Sequence, residues 1–252
     1  MNPLEFLLLV AGGAVAGSIN AVVGSGSLVT FPLLIAFGYP PVLANVTNNV
    51  GVLPASLAAT HANRHEFAGE WRRLGSLLCF SAAGGVTGAL LLLRLPSEAF
   101  DAIVPALIAL ALLLVVSGPW IKRWTTRLHG EAGHRDHPGA TAAVAGLTAI
   151  YGGYFGAAQG VLLLALLSIT MAGSLARANA YKNAMAGVAN LAAAIVFVVT
   201  TDVAWPAAAA IAIGSFVGGS LGARYGRRIP QTAYRVVIVT VGLAALAYFV
   251  LT

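Results

Sequence analysis

The side chains with chemical potential in this chain are amides, hydroxyls and one amine, all set within apolar runs. Lys182 is the only ionisable residue well inside such a run, and no Asp or Glu lies centrally in any run to neutralise it. Asn20, Asn45, Asn48, Gln159, Asn179 and Asn183 supply carboxamides, which donate hydrogen bonds to anionic oxygens. Ser25 and Ser27 add hydroxyls, while Gly26 and Gly160 place backbone beside them. An amine among amide donors, with no carboxylate, suits holding a small anion. It does not suit catalysis: there is no His/Glu zinc signature, no embedded acid pair and no Ser–His pairing. Two plainer roles compete. Asn and Ser glue membrane helices together, and a Lys near the end of its segment can snorkel to the surface.

The elements that position these groups are membrane helices. Of 252 residues, 59% are hydrophobic and only 9% charged, against roughly 25% in a soluble domain. The mean hydropathy is +0.87. One cysteine, Cys79, leaves no internal disulfide and no cysteine metal pattern. The net charge of +6 would suggest nucleic acid in a soluble chain, but here it reads as basic cytoplasmic loops, with no nucleic acid and no cofactor expected. The start, Met1-Asn2-Pro3-Leu4-Glu5, lacks a basic leader region, so the first run is expected to remain as a helix.

Ten apolar segments are expected, five per half. The first half has Leu4–Val23, Ser27–Phe37, Val42–His61, Leu74–Leu93 and Phe100–Ile121. The second has Ala140–Ala157, Val161–Met171, Ala176–Thr200, Trp205–Ala223 and Ala233–Leu251. Most can cross a ~30 Å hydrocarbon core. The second and seventh reach only about 16 Å as helices. Each follows a glycine-containing break, Gly24-Ser25-Gly26-Ser27 or Ala157-Ala158-Gln159-Gly160. Each is therefore a broken span or a re-entrant hairpin, beside protein or a polar cavity. Both short helices would present free N–H groups and a positive dipole end to the break.

The halves repeat at an offset of 134 residues. Ala44-Asn45-Val46-Thr47-Asn48-Asn49 returns as Ala178-Asn179-Ala180-Tyr181-Lys182-Asn183, and Gly84-Gly85-Val86-Thr87-Gly88 as Gly218-Gly219-Ser220-Leu221-Gly222. Arg94-Leu95-Pro96 returns as Arg228-Ile229-Pro230, Phe100 as Tyr234, and Gly26 falls on Gly160. Small residues at this helical spacing favour close helix packing. Basic residues gather in the loop with Arg64, Arg72 and Arg73, the central loop with Lys122, Arg123, Arg127 and Arg135, at Arg177, and around Arg224, Arg227, Arg228 and Arg235. One face thus holds 12 of the 14 Lys and Arg residues, which makes it cytoplasmic. Equivalent loops differ in charge, so the repeats are expected to be inverted in the membrane, with both termini on the opposite side. The expected organisation is a first membrane repeat at 1–121, a cytoplasmic linker at 122–138 and a second repeat at 139–252. His129, His134 and His137 in the linker are irregularly spaced and read as a solvated connection, not a metal site.

The run Asn20-Ala21-Val22-Val23-Gly24-Ser25-Gly26-Ser27-Leu28-Val29-Thr30-Phe31-Pro32, with Gly38-Tyr39-Pro40-Pro41 and Ala44-Asn45-Val46-Thr47-Asn48, closely resembles the signature of the TauE/SafE family of sulfite exporters. Tyr151-Gly152-Gly153-Tyr154-Phe155-Gly156-Ala157-Ala158-Gln159-Gly160 is similar to its second-half counterpart. The resemblance spans nearly the whole chain. It implies a multi-pass permease of the bacterial inner membrane for sulfite, organosulfonates or other small organic anions. Members often have more consecutive glycines at the break, where this chain has Ser25 and Ser27. The expectation is an all-α exporter working by alternating access, with the anion and the lipid bilayer as partners. A gated anion channel and an intramembrane enzyme are the alternatives, and the oligomeric state stays open.

Overall fold

A computed structural model describes residues 1–131 and 136–251, with side chains described except at 121–131, 227, 250 and 251. The chain is all-helical: 86% of it is helix, with no strand among the described residues. Ten α-helices follow in order: α1 Pro3–Val22, α2 Ser27–Ala36, α3 Pro41–Ala62, α4 Trp71–Arg94, α5 Ser97–Glu131, α6 Pro138–Tyr154, α7 Gln159–Thr170, α8 Leu175–Thr200, α9 Trp205–Tyr225 and α10 Gln231–Leu251. Local signals set several starts. The Asn2 side chain accepts from the Glu5 N–H while Glu5 reaches back, forming a capping box before Pro3. Ser174 caps α8 by accepting from the Arg177 N–H.

Six helices are long and apolar enough to cross a membrane: α1, α4, α5, α8, α9 and α10. At 22 residues α3 is also long enough, but Asn45, Thr47, Asn48 and Asn49 dilute its hydropathy. The fifth helix continues past Ile121 to Glu131, so its backbone enters the stretch expected to be a loop; Pro119 sits inside the helix without ending it. Of the linker histidines, His134 lies outside the described residues and only the backbone of His129 is described. No group of three His, Cys, Asp or Glu side chains among the described residues is placed to hold a metal ion.

The short helices resolve as hairpins. α2 returns alongside α1: a Cβ on Gly26 would strike the Ala16 carbonyl, and one on Gly12 would stand 2.7 Å from Leu33. α7 likewise returns along α6, and the Thr170 carbonyl at its far end accepts from the His137 N–H (3.0 Å) and the Thr141 hydroxyl (3.1 Å) at the start of α6.

Packing pairs helices across the two halves. α1 lies on α9 and α6 lies on α4; α3 lies on α9 and α8 lies on α4. Each contact is matched by one between the helices one repeat away, while α3–α8 and α5–α10 map onto themselves. Glycines make the approaches close. A Cβ on Gly85 would meet backbone of Ala189, and one on its equivalent Gly219 would meet backbone of Ala55, again 134 residues from Ala189. The repeated glycines therefore serve helix packing, as their spacing suggested.

Candidate functional site

The two hairpin tips touch at the centre of the bundle. Gly24 lies at φ +88°, and a Cβ there would stand 2.5 Å from Gly160 Cα. The Gly160 N–H donates to the Gly24 carbonyl at 3.0 Å. At the position equivalent to Gly24, Ala158 also adopts positive φ, at +60°, the one such non-glycine among the described residues. Both halves thus use the same left-handed turn to start their short helices, and the second half does so against the usual steric preference.

Lys182 reaches this junction. Its residue is 1% exposed, and its Nζ donates to the Asn20 carbonyl at the end of α1, 3.2 Å away. It makes no ion pair with a carboxylate among the described residues. The ammonium therefore does not snorkel out of the bundle. Leaving an amine buried with one neutral acceptor is costly unless a further partner visits.

The remaining candidates divide into three groups. Ser25 Oγ, Gln159 Nε2 and Asn183 Nδ2 are buried without a hydrogen-bond partner, so each keeps donor capacity in reserve. Asn48 and Asn45 are engaged: Asn48 Oδ1 accepts from the Thr30 hydroxyl, and Asn45 Nδ2 donates to the Tyr154 carbonyl at 2.9 Å. Asn20 Nδ2 donates to Ser56 Oγ at 3.1 Å. Ser27 opens α2 and Gly26 caps it. Asn179 stands apart, in the wall of a cavity of about 330 Å³, with its Oδ1 unpartnered.

That cavity is a vestibule at the basic end of the bundle. Ala21, Val22, Asn63, Gly222, Gly226 and Ile229 are among the residues in its wall. At the opposite end the hairpin tip is packed over, while an apolar groove of about 330 Å³ lies beside it between α2 and α10. Phe31 and Phe155 pack edge to face at 5.4 Å, Phe100 meets Tyr154 at 5.8 Å and Phe155 at 6.3 Å, and Leu92 and Phe197 join the same core.

One expectation about the short helices needs correction. At α7 the first N–H groups are spent: Gln159 donates to Gly156, Gly160 to Gly24, and Val161 and Leu162 to Ala158. The left-handed turn at Ala158 folds the preceding carbonyls back onto the helix start. At α2, Leu28 and Val29 donate to Ser25 and Gly26, which leaves the Gly26 and Ser27 N–H groups without a carbonyl among the described residues. Only one of the two short helices therefore offers backbone donors.

The family model described as "Sulfite exporter TauE/SafE" matches residues 9–249. The chain belongs to the TauE/SafE family. Relatives agree with this. It is 28% identical over 246 residues to "Probable membrane transporter protein YfcA" of Escherichia coli K12, covering 96% of this chain and 88% of that protein. It is 29% identical to "Probable membrane transporter protein ORF9" of a Sinorhizobium species over 96% of this chain and 90% of that protein. A Haemophilus influenzae "Probable membrane transporter protein" is 26% identical over 90% and 87%.

Within this TauE/SafE chain, sequence reasoning missed the acceptors. The Tyr154 and Asn20 carbonyls and the Ser56 hydroxyl have no signal in residue type. The aromatic plug was legible by one route only. At the 134-residue offset Phe155, Leu92 and Phe197 fall on Ala21, Gly226 and Asn63, all in the vestibule wall.

Proposed function

We propose that this protein is a secondary transporter that exports a small anion (sulfite, an organosulfonate or a related organic anion) across the bacterial inner membrane by alternating access. The observation that carries this reading is Lys182: a buried amine without a carboxylate among the described residues, bonded to the Asn20 carbonyl near the contact of two hairpin tips, in a bundle that also buries unpartnered donors on Ser25, Gln159 and Asn183. The anion would sit against Lys182, Ser25, Gln159 and Asn183, with the Gly26 and Ser27 N–H groups of α2 as further donors. Asn20 and Asn48 would brace the neighbouring helices through the Ser56 and Thr30 hydroxyls, and Gly24–Gly160 the hairpin contact. The protein's membrane repeats, 1–121 and 139–252, would be inverted relative to one another and rock about this junction. An end open through a vestibule opposite an end closed by aromatics favours a carrier over a channel, which needs both open together. Export of an anion down an inside-negative potential gains about 2.3 kcal/mol per charge per 100 mV, so it needs no coupled ion.

The test is flux from oriented proteoliposomes with a panel of sulfite, sulfonates and carboxylates, comparing wild type with Lys182→Ala. At least one anion is expected to move, with counter-substrate trans-stimulation, and Lys182→Ala should slow it at least tenfold. Transport of no anion would remove the proposal. Equal transport by Lys182→Ala would remove the amine's role, and rates far above carrier turnover without trans-stimulation would favour a channel.

A further inference from the structure

Two equivalent amides do different things in this structure. Asn45 donates to the Tyr154 carbonyl, 2.9 Å away, and lies at the closed end. Its equivalent, Asn179, lines the open vestibule with Oδ1 unpartnered. The equivalent of Tyr154 is Asn20, whose carbonyl faces no amide here and accepts from Lys182 Nζ. The vestibule is bounded by Asn179 on one side and by Ala21, the neighbour of Asn20, on another. Exchanging the two halves therefore converts one observed hydrogen bond into one that is absent, across the cavity that would have to close.

We propose that Asn45 and Asn179 are matched positioning residues, each closing its own end of the protein by donating to the carbonyl at the tip of the other half's first helix. With the basic end open, Asn45 holds Tyr154 and Lys182 holds the Asn20 carbonyl. An anion arriving at Lys182 competes for the ammonium. It releases the part-buried Asn20 carbonyl, which needs a new donor once closure of the vestibule shuts water out. Asn179 is the amide placed to supply it. Capture of Asn20 by Asn179 draws α8 onto α1, closes the vestibule, and is exchanged for release of Tyr154 by Asn45. The substrate thus triggers closure through Lys182 without touching either amide. This rests on the inverted-repeat carrier proposed above and reassigns Asn45 and Asn179 from substrate contact to gating.

The test is sided labelling, which needs no substrate. In a Cys79→Ser background, reporters are placed at the equivalent positions Ala176→Cys, in the vestibule wall, and Val42→Cys, packed at the plugged end. A membrane-impermeant thiol reagent is applied to each face of proteoliposomes. Wild type should label fast at Ala176→Cys and slowly at Val42→Cys. Asn45→Ala should reverse the bias, slowing the first at least fivefold and speeding the second at least fivefold. Asn179→Ala should keep the first fast and the second slow. Asn45→Leu and Asn179→Leu, near in size but without a donor, should repeat these results if the alanine variants fold poorly. General loosening would raise both rates together, and that outcome overturns the proposal, as does a shift below twofold in both. A negative labelling result leaves the anion panel unaffected, and an empty panel leaves the labelling result readable.

Discussion

The two ends of the bundle are built from equivalent positions, yet one is sealed and one is open. At the sealed end, Phe155 fills the position occupied by Ala21 at the open end, Leu92 that of Gly226 and Phe197 that of Asn63. Phe100 packs on Tyr154 and Phe155, whereas its equivalent, Tyr234, leaves the tip and hydrogen-bonds Ser18 at 3.0 Å. The main helix contacts are matched at the 134-residue offset, but the side chains at these positions are not. Sealing at one end therefore comes from aromatic volume plus an amide, while the other end has little volume and would depend on helix movement and its amide.

The junction between the ends should be the most sensitive place to break this arrangement. Gly24→Ala places a Cβ 2.5 Å from Gly160 Cα at a positive φ, and should cost about 3 kcal/mol through overpacking and backbone strain. The readout is loss of monodisperse protein after mild heating in detergent. Next comes Lys182→Met. Transport should fall at least tenfold while the melting temperature rises, because an unpaired buried charge is replaced by an apolar chain of similar length. A drop in both would make Lys182 structural.

The plug sharpens the comparison further. Phe155→Ala, which makes the sealed end resemble the open one, should cost about 3 kcal/mol as a cavity and raise thiol labelling at Val42→Cys. The mirror change, Ala21→Phe, should fill the vestibule and slow labelling at Ala176→Cys.

The smallest effect is expected at the basic surface. There Arg73 forms two hydrogen bonds to Asp136 at 2.7 and 2.8 Å, Glu70 accepts from Arg177 and, at 2.8 Å, from the Tyr181 hydroxyl, and the Ala172 N–H donates to Asp136. This network ties the start of α4 to the starts of α6 and α8. Asp136 is held down at about 2, chiefly by the Arg73 hydrogen bond. Since its folded value lies below the usual 3.8, its contribution is present above that value and is lost as pH falls through about 2. Asp136 is exposed, so Asp136→Asn should cost no more than about 1 kcal/mol at neutral pH, seen as a small drop in melting temperature that vanishes in acid.

Much of this arrangement is readable in the residues, and for identifiable reasons. Length and glycine breaks give the short helices, because an apolar run of eleven residues cannot span a bilayer. The repeat gives Gly26 opposite Gly160 in alignment and Lys182 in place of Asn48. What it does not give is contact: Gly24, not Gly26, meets Gly160, since the left-handed turns set which residue reaches the tip. Nor does it give the fate of the amides. Asn45 and Asn179 are identical in type and register, and only packing decides that one meets a carbonyl and the other a cavity. The spent N–H groups of α7 are hidden for a similar reason, because nothing in Ala157-Ala158-Gln159-Gly160 announces a left-handed alanine.

On the proposed function, the charge on Lys182 is there for an anion. Its most direct test is the thermal shift of purified wild type and Lys182→Met in detergent, titrated with whichever sulfite, sulfonate or carboxylate the flux panel identifies. A ligand at a hundred times its dissociation constant stabilises the folded protein by about 2.7 kcal/mol. Wild type should show that shift, and Lys182→Met should melt higher without ligand and not respond to it. An equal ligand-dependent shift in both proteins would contradict the account.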